Sequence, residues 1–182
     1  MVEIVQSEQP VLREIARSVP LNEIGTDKIN KIIKDLSEAM AKQNDGIAIA
    51  APQIGQNLRI FLVSTKLLKE VDKSFKGSDD DLVFINPELV KLSKEKKEVE
   101  EGCLSVRWKY GKVKRAVRAT INAYNEKGEK IERGASGVLA QIFQHENDHL
   151  NGILFTDKAK EIWEMTEEEI KQATAPRKHQ NK

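Results

Sequence analysis

Gln144-His145-Glu146-Asn147-Asp148-His149-Leu150-Asn151-Gly152 is the stretch around which the rest of the chain has to be arranged. His145 and His149 are four residues apart, so in a helix their imidazoles leave the same face one turn above the other and can share one metal ion. Glu146 lies about 100° round that helix from His145, off the line of the ligands, which suits a base acting on water activated by the metal. Upstream, Val138 and Ile142 continue the stripe, so one face carries both apolar lining and ligands. Ser136 is placed as an N-cap and Gly152 as a C-terminal stop, bracketing a helix of roughly four turns. The competing reading is a surface helix whose two histidines are four apart by chance. Against it stands the histidine count: of three in the chain, only His179, in a polar tail, lies elsewhere. A catalytic metal site also needs a third protein ligand and an open position for water.

At 182 residues the chain fits one domain with a sizeable core. Its 30 basic and 29 acidic side chains leave a net charge of +1, no field that calls for DNA or a membrane surface; any nucleic-acid contact has to be local. The single cysteine, Cys103, excludes an internal disulfide and fits a reducing compartment. Glu3, Glu8, Arg13 and Glu14 break up the first turns, which leaves neither a signal-peptide core nor an acid-poor transit segment, and no apolar run approaches a membrane span. A soluble, cytoplasmic monomer is the expectation.

Val11, Leu12, Ile15, Ala16 and Val19 behind Pro10 predict a short helix over 10–19. A second helix is capped by Thr26, presents Ile29, Ile32, Ile33, Leu36 and Met40 on one face, and ends near Asn44. Residues 46–55, Gly-Ile-Ala-Ile-Ala-Ala-Pro-Gln-Ile-Gly, are small and apolar, a buried strand and turn whose one polar side chain, Gln53, either satisfies backbone or faces a ligand. Leu58–Val63 reads as a strand, and 66–81 as a charged mobile loop with one helical turn at most. Leu82–Ile85 is a short strand stopped by Asn86-Pro87, with pairing resumed over Glu88–Leu92. The charge run from Lys94 is a solvated edge as far as Val99. Residues 118–124 and 129–133 form a hairpin about Asn125–Gly128, with Gly128 placed for positive φ. Beyond Phe155, Ile162, Trp163 and Ile170 give a weak helical pattern. A single domain over 1–172 and a polar, flexible tail over 173–182 follow.

Four sources compete for the third ligand. A histidine at metzincin spacing would fall at Phe155, so that source fails. A carboxylate about twenty residues past the second histidine, as in thermolysin-like peptidases, would be Glu167, Glu168 or Glu169 and survives on spacing. The only thiol, Cys103, sits in Glu101-Gly102-Cys103-Leu104-Ser105, although a lone cysteine is more often a small buried hydrophobe. Asp148 is too close in sequence to reach round the metal and instead orients a neighbour.

Three segments, 46–53, 101–105 and 144–149, resemble in order and spacing the signature motifs of peptide deformylases, and the similarity runs from Pro10-Val11-Leu12-Arg13 to about Thr156. The resemblance implies an α+β fold with mixed or antiparallel sheets packed around a central metal-binding helix. It implies that Cys103, His145 and His149 bind one divalent ion, Fe(2+) in the cell and replaceable by Zn(2+), Ni(2+) or Co(2+). Gln53 and the Leu104 amide would face the reacting carbonyl, with Glu146 as base, and Glu101 would pair with Arg115 to hold the cysteine loop. The implied reaction is hydrolysis of the formyl group from the N-terminal formylmethionine of nascent polypeptides. Ala48 and Leu104 would leave room on that carbonyl for little more than hydrogen, and Ile47, Val99, Val138 and Ile142 would line the methionine pocket. The ribosome is a further candidate partner, through the tail.

The chain departs from the family pattern at Ala48, Arg107-Trp108 and Gln141, positions that bear on substrate range and rate and not on the ligands. Ala48 and Trp108 also motivate a non-enzymatic alternative, a deformylase-like domain that keeps metal and serves as a binding module.

Overall fold

The computed structural model describes residues 2–77 and 80–174. Among the described residues, eight strands form two sheets in which every named pairing is antiparallel. The larger sheet has the order β1 (Ala48–Ala50), β2 (Ile60–Val63), β3 (Leu82–Leu92), β6 (Arg118–Tyr124), β7 (Lys130–Ser136). The smaller has the order β4 (Lys96–Cys103), β5 (Val106–Ala116), β8 (Ile162–Glu164).

Helices α1 (Asp27–Ala41) and α3 (Gly137–His149) cover the two faces of the larger sheet, and the strand period decides which side chain meets which. In β2, Ile60 and Leu62 pack with Ile29, Ile32, Leu36 and Met40 of α1, while Phe61 and Val63 pack with Leu139, Ala140 and Phe143 of α3. Buried on both sides, β2 reads as an unbroken apolar run. Phe61 stacks on Phe84 at 4.6 Å, and Phe84 meets Phe143 edge-on at 5.2 Å, which fixes α3 across the sheet. A third cluster, Leu12, Val106, Val113, Leu154 and Phe155, joins the smaller sheet to the N-terminal segment.

Several expectations are corrected. The 10–19 segment forms a single 3-10 turn over Pro10–Arg13 and then runs extended, leaving Ile15 73% exposed. Long-range backbone bonds outweigh its helical pattern: Ala16 N–H donates to Leu150, and Arg17 bonds to Asn57 and Arg59 in a parallel bridge beside Leu58. Helix α1 stops at Ala41, three residues short of Asn44, and Thr26 caps it without a side-chain bond. The stretch read as a loop contains α2 (Thr65–Val71), capped by Ser64, whose hydroxyl accepts from Leu67 N–H. Strand β3 is not stopped at Asn86-Pro87. Asn86 takes φ 50°, and its carboxamide bonds both Val19 N–H and Val19 C=O, so the strand passes through an irregularity without losing its course. The charge run keeps to the expected solvated edge, exposed through Glu98 on the edge strand β4, whereas β5 went unread altogether. Ile162 and Trp163 lie in β8, and the last described helix is α4 (Glu167–Thr174); residues 175–182, most of the expected tail, lie outside the described residues. No described helix is long and apolar enough to cross a membrane.

Candidate metal centre and active site

The fold brings three distant segments to one point. Strand β4 ends on Cys103, α3 supplies His145 and His149 one turn apart, and the turn after β1 presents Gln53. Cys103 Sγ lies 3.2 Å from His149 Nε2, and one donor atom from each of Cys103, His145 and His149 falls within 4.8 Å of the others. That spread suits one cation of the Zn(2+) or Fe(2+) type, and a thiolate with two imidazoles is a donor set such ions accept. Glu167, Glu168 and Glu169 are exposed on α4 and belong to no such group, so the thermolysin-like alternative has no ligand.

What surrounds the donors fixes their orientation. Glu101 Oε2 bonds His145 Nδ1 at 3.0 Å, which leaves Nε2 of that ring for a metal. Both Glu101 oxygens also accept from Arg115, at 2.7 and 2.8 Å, and the third guanidinium nitrogen reaches Asp148 at 2.6 Å. Lys158 closes the chain on Asp148 at 2.6 Å. Burial raises the Glu101 carboxyl, but Arg115 and His145 outweigh it and hold its pKa at about 2. Burial likewise works against the Cys103 thiolate, yet the two imidazoles, His149 first, bring the thiol down to about 5. A thiolate ready to ligate is the outcome.

Gln53 is 2% exposed, and its carbonyl accepts the Ala50 N–H at 2.8 Å. Its amide nitrogen is thereby turned to the centre, 3.2 Å from Ser105 Oγ and 3.5 Å from Cys103 Sγ. Gln144 is pinned by three bonds, to Ala116 N–H, Ala116 C=O and Ala140 C=O, and so ties α3 to the end of β5. Glu146 stands apart: it is 3% exposed, its Oε2 is buried without a hydrogen-bond partner among the described residues, and burial pushes its pKa up to about 7.

A cavity of about 400 Å³ opens on this centre. Ile47, Ala48, Val138 and Ile142 line it with Cys103, Leu104, His145 and Glu146, as the sequence reading expects. Val99 does not: it borders a different cavity with Lys97, Ala116 and Val117. The catalytic cavity meets β4 only over residues 100–103, and Val99 lies just before that stretch, four residues short of Cys103. Val71, Tyr110 and Asp45 also line the cavity and were not read from sequence; for Tyr110 the two-residue spacing from Trp108 was an available signal once β5 is recognised as a strand. Asp148, expected to orient a neighbour, orients Arg115. Lys158 carries no sequence signal at all.

A family model described as polypeptide deformylase matches residues 1–164. Peptide deformylase 2 of Clostridium acetobutylicum is 41% identical over 155 residues, covering 85% of this chain and 93% of the relative. Peptide deformylase of Carboxydothermus hydrogenoformans is 40% identical over 159 residues, covering 87% and 93%. Among solved structures, the Met-Ala-Ser-bound class I type b peptide deformylase from Acinetobacter baumannii superposes with a TM-score of 0.77 at 30% identity, covering 87% of this chain and 98% of that one. The actinonin-bound form of the same enzyme gives 0.76 at 31% identity, covering 88% and 99%. Because the matched span contains every side chain of the centre, and the fold that assembles it is shared at this level of identity, the chain belongs to the polypeptide deformylase family, whose members are metal-dependent hydrolases.

Proposed function

We propose that Cys103, His145 and His149 hold one divalent ion, Fe(2+) in the cell, and that Glu146, Gln53 and the Leu104 amide carry out deformylation around it. The observation that carries this assignment is Glu146, a carboxylate buried in the wall of the same cavity with an oxygen that no described group satisfies. A divalent cation at the three donors supplies Lewis acidity, polarising a carbonyl oxygen and acidifying water. Glu146, raised toward neutrality by burial, takes the proton of the attacking water and returns it to the departing amine. Gln53, held by Ala50 with its N–H groups toward the centre, and the Leu104 amide donate to the oxygen that gains charge as the formyl carbon becomes tetrahedral. One such donor is typically worth about 3 kcal/mol in the transition state.

The substrate is the N-terminal formylmethionine of a nascent polypeptide, with the methionine side chain against Ile47, Val138 and Ile142 and Ala48 close to the formyl group. The Acinetobacter baumannii relative binds Met-Ala-Ser, the peptide that remains once formate leaves formyl-Met-Ala-Ser, and we extend that product to this chain. We place the protein in the cytoplasm as one catalytic domain, acting as a monomer, with the polar tail as a candidate contact for the ribosome. Metal-loaded protein given formyl-Met-Ala-Ser should release formate and the free tripeptide in equal amounts. Retention of metal with no formate release would instead identify a binding module.

A further inference from the structure

Trp108 is a tryptophan in the left-handed region, with φ 64°. Only one other described non-glycine residue shares that sign, and it is an asparagine, which tolerates it. Contacts from two other segments, 164–165 and 43–45, hold the indole's backbone and ring in place. The Trp108 carbonyl accepts the Met165 N–H at 2.8 Å, and the next residue, Lys109, pairs with Glu164 of β8. The Arg107 guanidinium lies 5.1 Å over the ring, itself fixed by Asp45 at 2.7 Å and by Gln43. A strained bulky residue persists only where its surroundings over-determine it, and such residues gather at working sites. Trp108 lines the cavity that contains Cys103, His145 and Glu146.

The surroundings of the ring are aromatic and electrically matched. Tyr110, two positions on in β5, lines the same cavity and stacks on Trp163 at 6.5 Å. The Tyr110 ring lies over Gly102, where a Cβ would come within 2.6 Å of Tyr110 Cε1, so the missing side chain beside Cys103 is what admits the Tyr110 ring. Arg107 has its charge answered by Asp45, and Lys109 by Glu164. The shelf therefore offers flat apolar area and no unanswered cation.

We infer that Trp108 is a specificity-determining residue for deformylation, its indole forming with Tyr110 the wall that receives the side chain of the peptide's second residue. This rests on the deformylase reading above. With the formyl group at Cys103 and Gln53 and the first side chain against α3, an extended peptide turns its next side chain the other way, toward the wall contributed by β5. An aromatic ring there gains on the order of tenfold in affinity over no side chain.

The test compares formyl-Met-Phe-Ser with formyl-Met-Gly-Ser on metal-loaded protein, measuring kcat and KM separately. The parent should prefer the Phe peptide about tenfold in kcat/KM. Trp108→Gly should bring the preference to about twofold or less, the change residing in KM, and Trp108→Phe should keep most of it. Glycine adopts positive φ without strain, so the Trp108→Gly variant should melt at or above the parent's temperature. An equal preference in parent and Trp108→Gly, or a lowered melting temperature for that variant, would overturn the role of Trp108 while leaving deformylation intact. A parent that turns over neither peptide would overturn the underlying reading as well.

Discussion

Glu146 and Glu101 lie on the same small centre and are driven in opposite directions. Glu101 is answered by Arg115 and His145 and held at about 2; Glu146 has an oxygen that no described group answers and is raised to about 7. Environments that separate two carboxylates in this way separate a structural role from a catalytic one. Glu146→Gln should therefore keep metal at one equivalent per chain and lose roughly 10²- to 10⁴-fold in kcat, read as formate release beside metal content. Turnover equal to the parent would remove Glu146 as the base. Cys103→Ala should weaken metal binding beyond the ten- to hundredfold typical of a lost supporting partner, whereas alanine at Glu167, Glu168 and Glu169 together should leave it intact. The reverse pattern would move the third ligand to α4. At this scale the histidine pair and Glu146 were legible because helical spacing alone puts them together. The cysteine was not, since nothing local in 101–105 reports that β4 ends beside α3; only its resemblance to a family motif singled it out. Val99 failed for the converse reason: its apolar side chain says that it packs, and only the assembled fold says which cavity it borders.

Patterns with a strong local period survived into elements, and those overruled by distant contacts did not. Helices α1 and α3 were legible because each presents a continuous apolar stripe to a sheet face. The 10–19 segment has a similar stripe but yields its backbone to Leu150, Asn57 and Arg59. Strand β5 was hidden because its buried positions include Gly111 and Arg115, residues that do not read as core. The predicted stop at Gly152 holds, and its cause is now specific. Gly152 has φ 71°, and a Cβ there would lie 2.6 Å from the Arg13 carbonyl oxygen and 2.7 Å from its carbon, both backbone atoms that cannot swing aside. Gly152→Ala should cost about 2 kcal/mol or more and lower the melting temperature by roughly 4–8 °C. Gly55→Ala is the control, because φ is 78° but no atom lies within 4 Å, leaving only the backbone cost of about 1 kcal/mol. Equal losses in thermal scans of the two variants would mean that the contact with Arg13 carries no weight.

Across the whole molecule, the smaller sheet and α3 are joined by a line of buried charge, Glu101 on β4, Arg115 on β5 and Asp148 on α3, with the exposed Lys158 closing it at the surface. None of this follows from net charge or from any local run, since partners 10 to 33 residues apart meet only once the fold exists. Its consequence is a dependence of stability on acid. The folded pKa of Glu101 lies below its ordinary value of 4.5, at about 2, so the carboxylate contributes stability that is fully present above about pH 4.5 and lost as pH falls toward 2. For a shift of this size the contribution is on the order of 3 kcal/mol. His145, raised by its partners despite burial, has the opposite sign: its contribution is complete below its ordinary value of 6.5 and is lost as pH rises through the higher folded value. Below pH 4.5 that imidazole is protonated folded and unfolded alike, so it adds no slope there. Metal-free protein titrated with urea between pH 5 and pH 3 should thus lose stability steeply, and Glu101→Gln, less stable at pH 5, should lose less over the same interval. Parallel curves for the two proteins would show that the acid sensitivity resides in other carboxylates, and that the Glu101–Arg115 pair does not hold the smaller sheet to the helix.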